Sequence, residues 1–424
     1  MKNNLSIYIH LPFCKKKCDY CDFYSVSELG VNNQIIENYL DCIINELEFY
    51  TPLLNNSLIE TIYFGGGTPN SIDNNILENF LGKFFSKLKK ITNNPDKEIE
   101  EVTIELNPQF INKNQITLFK RFPFNRISLG IQSLYEKSLI FLGRNANEIE
   151  TKRAIDLVLS NFDNASLDFI IGLPDLNIKN QLKKINDYIK KYKSLLHLSF
   201  YILNIAEGTK LFNKLYFSDS TKNKNLIFDI EKQSAEDYIY ICKQMSEFGF
   251  EHYEISNFAK DKNYSKHNLR YWLGKPYIGL GAASHSFFSN IRYSNSCLKE
   301  YILAWQNNSF SYKIKDIKNL KNFSNSTEFV NLLLKSMNNF KRWYEILDDT
   351  KRINEFIILR LRMIEGLNLI EFKDIFGFDL LEIKKNELYE LLNKNKINLK
   401  DNMLFIDEES LLFYNSIVSS IIFS

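Results

Sequence analysis

Short apolar, β-rich runs alternate with amphipathic stretches through the first half of the chain, and this alternation constrains the fold most. The strand-like runs are Ser6–His10, Thr61–Phe64, Glu101–Glu105, Arg126–Gly130, Ser166–Ile170 and His197–Tyr201. Helix-like segments lie between them at about 34–50, 73–90, 112–121, 147–160 and 178–192. The first of these puts Ile35, Tyr39, Ile43, Leu47 and Tyr50 on one face, with acidic residues opposite. A βα repeat gives a parallel sheet with right-handed crossovers. Six units predict an α/β fold, an open or partial (β/α)6 barrel.

The rhythm changes after about residue 215. Residues 216–232 carry mixed charge and little periodicity, which reads as a connection before a helix at 233–248. From about 310 the chain is Lys/Asn/Leu-rich and helical, and it ends in helices and two short strands, Ile397–Leu399 and Met403–Ile406. That predicts a mostly helical, winged-helix-like C-terminal domain. The expected division is 1–215 for the barrel, 216–310 for its extension and 311–424 for the C-terminal domain. No basic stripe marks a base-reading face, so the tail reads as a packing or docking module and nucleic acid is not an expected partner.

The net charge of +2 advertises neither nucleic acid nor an anionic membrane. No apolar run approaches the roughly 18 to 20 residues needed to span a bilayer. Met1 to Phe13 includes His10 and Pro12 and lacks a small-residue cleavage site, so a signal peptide is not expected and the cytoplasm is the expected location.

The 6 cysteines stand at 14, 18, 21, 42, 242 and 297, too few for a disulfide framework in a chain of 424 residues. Cys14, Cys18 and Cys21 form C-x3-C-x2-C directly after the first strand. Three thiolates at this spacing can hold three corners of a [4Fe–4S] cube and leave the fourth iron free. Zinc is the competing reading, with His10 completing a set of four. Lys15, Lys16 and Lys17 read as a solvated run. Gly65-Gly66-Gly67-Thr68-Pro69 follows the second strand, where glycines allow positive φ and close backbone approach to a ligand, or simply a tight turn. Glu105-Leu106-Asn107-Pro108 ends the third strand, Ser128-Leu129-Gly130-Ile131-Gln132-Ser133 the fourth, and Leu142-Gly143-Arg144 follows. The fifth carries Asp168 and then Gly172-Leu173-Pro174. Cys14, Gly66, Glu105 and Gln132 each lie just beyond the end of a different expected strand, and Asp168 near the end of its own. In a parallel barrel those ends open on one face.

Tyr8-x-His10-x-Pro12-Phe13-Cys14-x3-Cys18-x-Tyr20-Cys21 resembles the cluster loop of radical S-adenosylmethionine (SAM) proteins, and more narrowly the coproporphyrinogen III dehydrogenase-like branch. The resemblance implies a radical-SAM barrel with a [4Fe–4S] cluster on Cys14, Cys18 and Cys21. It also implies SAM chelating the free iron and an electron that cleaves the sulfonium to a 5′-deoxyadenosyl radical. Tyr8, Gly66, Thr68, Glu105, Gln132, Arg144 and Asp168 fall on the family's SAM-contacting positions. The chain departs from the family at Asn145-Ala146, where a His usually follows the Arg by two residues. It departs again at Asp175-Leu176-Asn177, where Gly-Gln-Thr is usual.

Oxidases of this branch resemble C-x3-C-x2-C-x-C, but here the last position is Phe23. Cys21-Asp22-Phe23-Tyr24-Ser25 resembles the non-oxidase relatives, the HemW-type heme chaperones. So does His267-Asn268-Leu269-Arg270-Tyr271-Trp272, framed by Tyr253–Ala259 and Gly279–Ser286. The stretches Phe356–Leu367 and Phe376–Leu380 fit the same group. An imidazole can ligate heme iron, and aromatic neighbours give a porphyrin flat apolar contact. His267, Tyr271 and Trp272 are therefore the expected heme residues, with His285 as rival ligand and packing as the plain alternative. The implied function is a heme chaperone with cluster and SAM. Its partners would be heme, an acceptor hemoprotein and an electron donor, and it would meet a membrane only through that acceptor. The alternative is an oxygen-independent coproporphyrinogen III oxidase.

Overall fold

A computed structural model describes residues 3–27, 31–92, 99–144, 147–217, 221–306 and 343–423. Asn145-Ala146 and 311–342 of the expected C-terminal domain lie outside the described residues. The chain forms two compact units: Met1–Leu167 with Asn204–Asp219 and Pro276–Ile346, and Asp168–Leu203 with Ser220–Lys275 and Leu347–Ser424. Among the described residues no helix is long and apolar enough to cross a membrane.

All six expected strands are present, each slightly longer than its apolar run. They are β1 (Asn3–Leu11), β2 (Ser57–Gly66), β3 (Glu101–Leu106), β4 (Arg126–Gln132), β5 (Ala165–Ile171) and β6 (Leu195–Ile202). The five expected helices are α1 (Asn33–Phe49), α2 (Asn74–Ile91), α3 (Lys113–Phe119), α4 (Glu148–Leu159) and α5 (Ile178–Lys191). The fold is the expected α/β class, with a parallel run of strands in its main sheet and a helical C-terminal region.

In the first unit β1, β2, β3 and β4 are neighbours in that order and all run parallel. Leu11 pairs with Gly66 and Leu106 with Leu129, so the strand ends that carry the motifs share one edge of the sheet. Tyr277–Leu280 adds to the other side of β1, also parallel, and His285–Phe288, Ile291–Ser294 and Trp343–Ile346 extend it antiparallel. Ile7, Ile9, Ile62, Phe64, Ile104, Ile127 and Leu129 are buried, as near-continuous apolar strands in a covered parallel sheet must be.

Helix α1 is capped by Asn32, whose side chain accepts from Ile35 N, a contact worth about 1 kcal/mol. It buries Ile36, Tyr39, Leu40, Ile43 and Leu47, rotating the expected face by part of a turn. Its acidic side is not wholly solvated, because Glu46 is fully buried. That carboxylate accepts from Gly281 N at 2.9 Å, Tyr301 Oη at 2.7 Å and Asn295 Nδ2 at 2.9 Å, which is how a buried charge is tolerated. From the same helix Tyr39 Oη donates to the His10 carbonyl at 2.6 Å, tethering the end of β1.

In the second unit β6 pairs antiparallel with Asn257–Ala259, which in turn pairs with Glu251–Glu254. Residues 216–232 are not merely a connection: α6 runs Thr221–Glu247. Among the residues whose burial is described, its buried positions are Ile230, Ser234, Asp237, Tyr238, Ile241, Cys242 and Met245. The C-terminal part has helices Asp349–Leu361, Leu369–Phe376, Leu380–Ile383 and Lys385–Asn393. A three-stranded antiparallel sheet of Leu367–Asn368, Met403–Ile406 and Ile397–Lys400 accompanies them. The expected two-stranded wing thus gains a third short strand.

Candidate cluster and nucleotide site

The cysteine loop is held by the glycine motif. Gly67 N donates to Leu11 O and Thr68 N to Phe13 O, both at 2.9 Å. Cys14 is buried, and its Sγ lies 3.4 Å from Thr68 Oγ1. Cys18 and Cys21 are half-buried, joined by Cys21 N donating to Cys18 O at 3.3 Å. Burial raises the thiol pKa of Cys14 and pushes that of Cys21 up to about 11. Neither gives up its proton readily without a cation to replace it. Lys17 is not simply solvated: its ammonium donates to Phe23 O at 3.0 Å and favours the Cys21 thiolate.

Both ring nitrogens of His10 make hydrogen bonds within the chain. Its Nε2 faces Tyr24 O at 2.9 Å and must carry the hydrogen, so Nδ1 accepts from Tyr8 Oη at 2.9 Å. Both ring nitrogens are used, and burial lowers the imidazole pKa to about 4, so the ring is neutral at pH 7. Zinc would draw its ligand atoms to within roughly 4 Å of one another, given bonds near 2 Å. Among the described residues, the one set of three metal-ligating atoms within 4.8 Å is elsewhere, and the three loop sulfurs are not gathered that tightly. Three soft donors, spread wider than a single ion's shell, fit a cube that keeps one iron open.

The glycines serve close packing of the chain on itself. Gly66 has φ +114°, and a Cβ there would lie 2.6 Å from the His10 ring; one at Gly67 would lie 2.6 Å from the Pro12 backbone. Ligand approach is therefore not the first reason for glycine here. Glu105 arches over the strip, accepting from Tyr63 Oη at 2.7 Å and Gly66 N at 3.3 Å. Tyr8 stacks on Tyr63 with centroids 6.1 Å apart. Burial, and then the Glu105 charge, hold the Tyr8 phenol pKa well above its usual value. Tyr8, Gly66, Thr68 and Glu105 are thus one connected group beside Cys14.

Gln132 and Arg144 form a second group. Arg144 Nη2 donates to Gly130 O at 2.6 Å, and the Gln132 amide packs over the same glycine. Gln132 has φ +66°, a conformation that costs a non-glycine residue about 1 kcal/mol or more and is concentrated at functional sites. Asp168 is the middle residue of β5 rather than near its end, and Asp168 Oδ1 accepts from Ser199 Oγ at 2.8 Å within the second unit.

The departures after Gly-Leu-Pro keep the backbone. Asp175 has φ +59° where the family usually has glycine, and aspartate is among the residues that tolerate that region. Asn177 caps α5 by accepting from Asn180 N, as a threonine would.

In the second unit His267 and Tyr271 lie one turn apart on a short helix, α7 (Lys266–Trp272), capped by Ser265. His267 is fully buried, and its Nε2 sits 2.8 Å from Tyr271 Oη. Trp272 is half-buried beneath the Arg362 guanidinium, 4.3 Å from the ring centroid. Its buried indole N–H has no acceptor among the described residues. His285, the rival, is exposed on its strand.

The profile of the radical SAM superfamily matches residues 8–186, and that of the HemN C-terminal domain matches 347–413. The chain belongs to the radical SAM superfamily and, within it, to the family of the HemW proteins. The heme chaperone HemW of Buchnera aphidicola subsp. Acyrthosiphon pisum is 34% identical over 283 residues, 66% of this chain and 69% of that one. The heme chaperone HemW of Bacillus subtilis is 26% identical over 414 residues, 97% of each chain. Coproporphyrinogen III oxidase (HemN) of Escherichia coli has the same fold, with TM-score 0.71 over 99% of this chain and 90% of that one, at 16% identity. Membership of the superfamily implies SAM and a [4Fe–4S] cluster.

Proposed function

We propose that this protein is a cytoplasmic heme chaperone, which binds heme and passes it to an acceptor hemoprotein. Cys14, Cys18 and Cys21 hold the cluster, and Tyr8, Gly66, Thr68, Glu105, Gln132 and Arg144 hold SAM. The observation that carries the reading is Phe23. It stands two residues past Cys21, where the oxidases of the branch carry a fourth cysteine, and its ring is 67% exposed. The likeness to the oxidase bears on the fold, since function lives in the site.

When bound and reduced, the cluster supplies an electron to the sulfonium of SAM. The chain's own part is positional. Thr68 holds the buried Cys14 sulfur, Glu105 presents a fixed acceptor for hydroxyl or ammonium donors, and Arg144 places positive charge beside Gly130.

His267 is proposed as the heme ligand, with Tyr271 and Trp272 as its aromatic contacts. Iron can reach Nε2 only when Tyr271 releases it, so the hydroxyl acts as an exchangeable occupant of the ligand position. A weak competitor of this kind suits reversible transfer better than tight storage. The unpartnered Trp272 N–H is a donor that a heme carboxylate would satisfy.

The test is anaerobic reconstitution followed by heme titration, reading cluster and Soret bands on the same sample. A Soret shift lost in His267→Ala and kept in His285→Ala is expected. No shift in the wild-type protein, or one unchanged in His267→Ala, overturns the assignment. Porphyrinogen decarboxylation with SAM and reductant would instead make the protein an oxidase.

A further inference from the structure

A second cluster of ligand atoms lies apart from the cysteine loop, within the second unit. Cys242 Sγ, His252 Nδ1 and a Glu408 carboxylate oxygen all lie within 4.8 Å of one another. They come from three places in the chain: the last turns of α6, the strand Glu251–Glu254, and the first residue of the 3-10 turn Glu408–Phe413. Cys242 is buried, His252 half-buried and Glu408 exposed, which leaves a path for an ion from solvent.

The imidazole is oriented as in metal sites. Its ring stacks on Phe258 with centroids 4.3 Å apart and planes 16° off parallel, and Tyr238 meets it edge-on at 6.2 Å. Nε2 is 3.3 Å from Ile255 O, so it carries the hydrogen when that bond is made. Metal-bound histidines commonly donate their second nitrogen to a carbonyl in this way. Nδ1 then turns its lone pair toward Glu408 Oε1, 2.8 Å away. A proton on Nδ1 makes this contact an ordinary hydrogen bond, and a bound cation takes that proton's place, with the Cys242 sulfur beside the gap.

We propose that Cys242, His252 and Glu408 bind a divalent cation of the zinc class, with water completing a four-coordinate shell. A sulfur, an imidazole nitrogen and a carboxylate oxygen are a donor set that zinc accepts. Binding replaces the thiol proton, which leaves to solvent, by a sulfur–metal bond, and no electron moves. The ion ties the Glu408 turn to α6 and its neighbouring strand. Its role is a structural brace, separate from the cluster chemistry. The competing account is an ordinary His252–Glu408 ion pair beside an inert thiol.

The experiment uses the full-length, cluster-loaded protein dialysed anaerobically against buffered free zinc. Zinc and iron per chain are measured by mass spectrometry, and the zinc shell by X-ray absorption. One zinc per chain is expected, with one sulfur among its ligands. Zinc should be lost in Cys242→Ser and bound at least about 10-fold more weakly in Glu408→Gln, since even outer-shell losses cost that much. Iron should be unchanged in both variants. Because Cys242 is buried and its variant can misfold, Glu408→Gln on the exposed turn decides alone if Cys242→Ser is insoluble. No bound zinc, zinc undiminished in Glu408→Gln, or a shell with three sulfurs, which would place the ion in the cysteine loop, overturns the proposal.

Discussion

Replacing Tyr271 by Phe removes one hydroxyl and keeps the ring. In the structure that hydroxyl is 2.8 Å from Nε2 of a fully buried His267, and the two rings meet edge-on with centroids 5.1 Å apart. If Nε2 is the iron ligand, heme must break this bond before it binds. A neutral hydrogen bond contributes a net 1 kcal/mol or so, within about 0.5 to 1.5. Removing it destabilises the heme-free state alone, so the dissociation constant for heme should fall about 5-fold, since 1.4 kcal/mol corresponds to 10-fold. The assay is a Soret titration of cluster-loaded protein, wild type against Tyr271→Phe, repeated in a His267→Ala background. The tightening should vanish in that background, because no ligand remains to be released. Unchanged or weaker heme binding by Tyr271→Phe would refute the gate and, with it, Nε2 as the ligand.

Four further outcomes are expected. Alanine at Cys14, Cys18 or Cys21 should abolish cluster iron, read as iron per chain after anaerobic reconstitution; undiminished iron in the triple variant would remove the basis of the whole site. Gly66→Ala should destabilise by several kcal/mol in denaturant unfolding, since it sets a Cβ 2.6 Å from the His10 ring at φ +114°. Asp175→Gly should be neutral or stabilising by up to about 1 kcal/mol, because it relieves a left-handed residue. His10 has a folded pKa lowered to about 4 from the ordinary 6.5, so the unfolded chain binds the extra proton. Its stability contribution is present above pH 6.5 and is lost as pH falls toward 4, by about 2 kcal/mol between pH 7 and pH 5. His10→Gln should flatten that part of the unfolding pH profile.

Much of the fold could be read from pattern alone. The strands of a covered parallel sheet are continuous apolar runs, so Ile7 to Ile9, Ile62 to Phe64 and Ile127 to Leu129 announce themselves. The cysteine spacing allowed a cluster or zinc, and it was the resemblance of the whole loop to radical SAM proteins that pointed to the cluster. The helix at 221–232 was not legible, since that stretch of sequence shows no apolar period. Nor was Glu46, whose burial depends on donors more than two hundred residues away.

Sequence therefore determined the order of elements and the α/β class, because these follow from local periodicity and spacing. Tertiary structure alone decided what each side chain is free to do. Packing gave both nitrogens of His10 partners within the chain. It put a tyrosine hydroxyl on His267, and it brought Cys242, His252 and Glu408 together from 166 positions of chain, 408 − 242. Proximity of that kind depends on long-range hydrogen bonds and close contacts, which no local window of sequence contains.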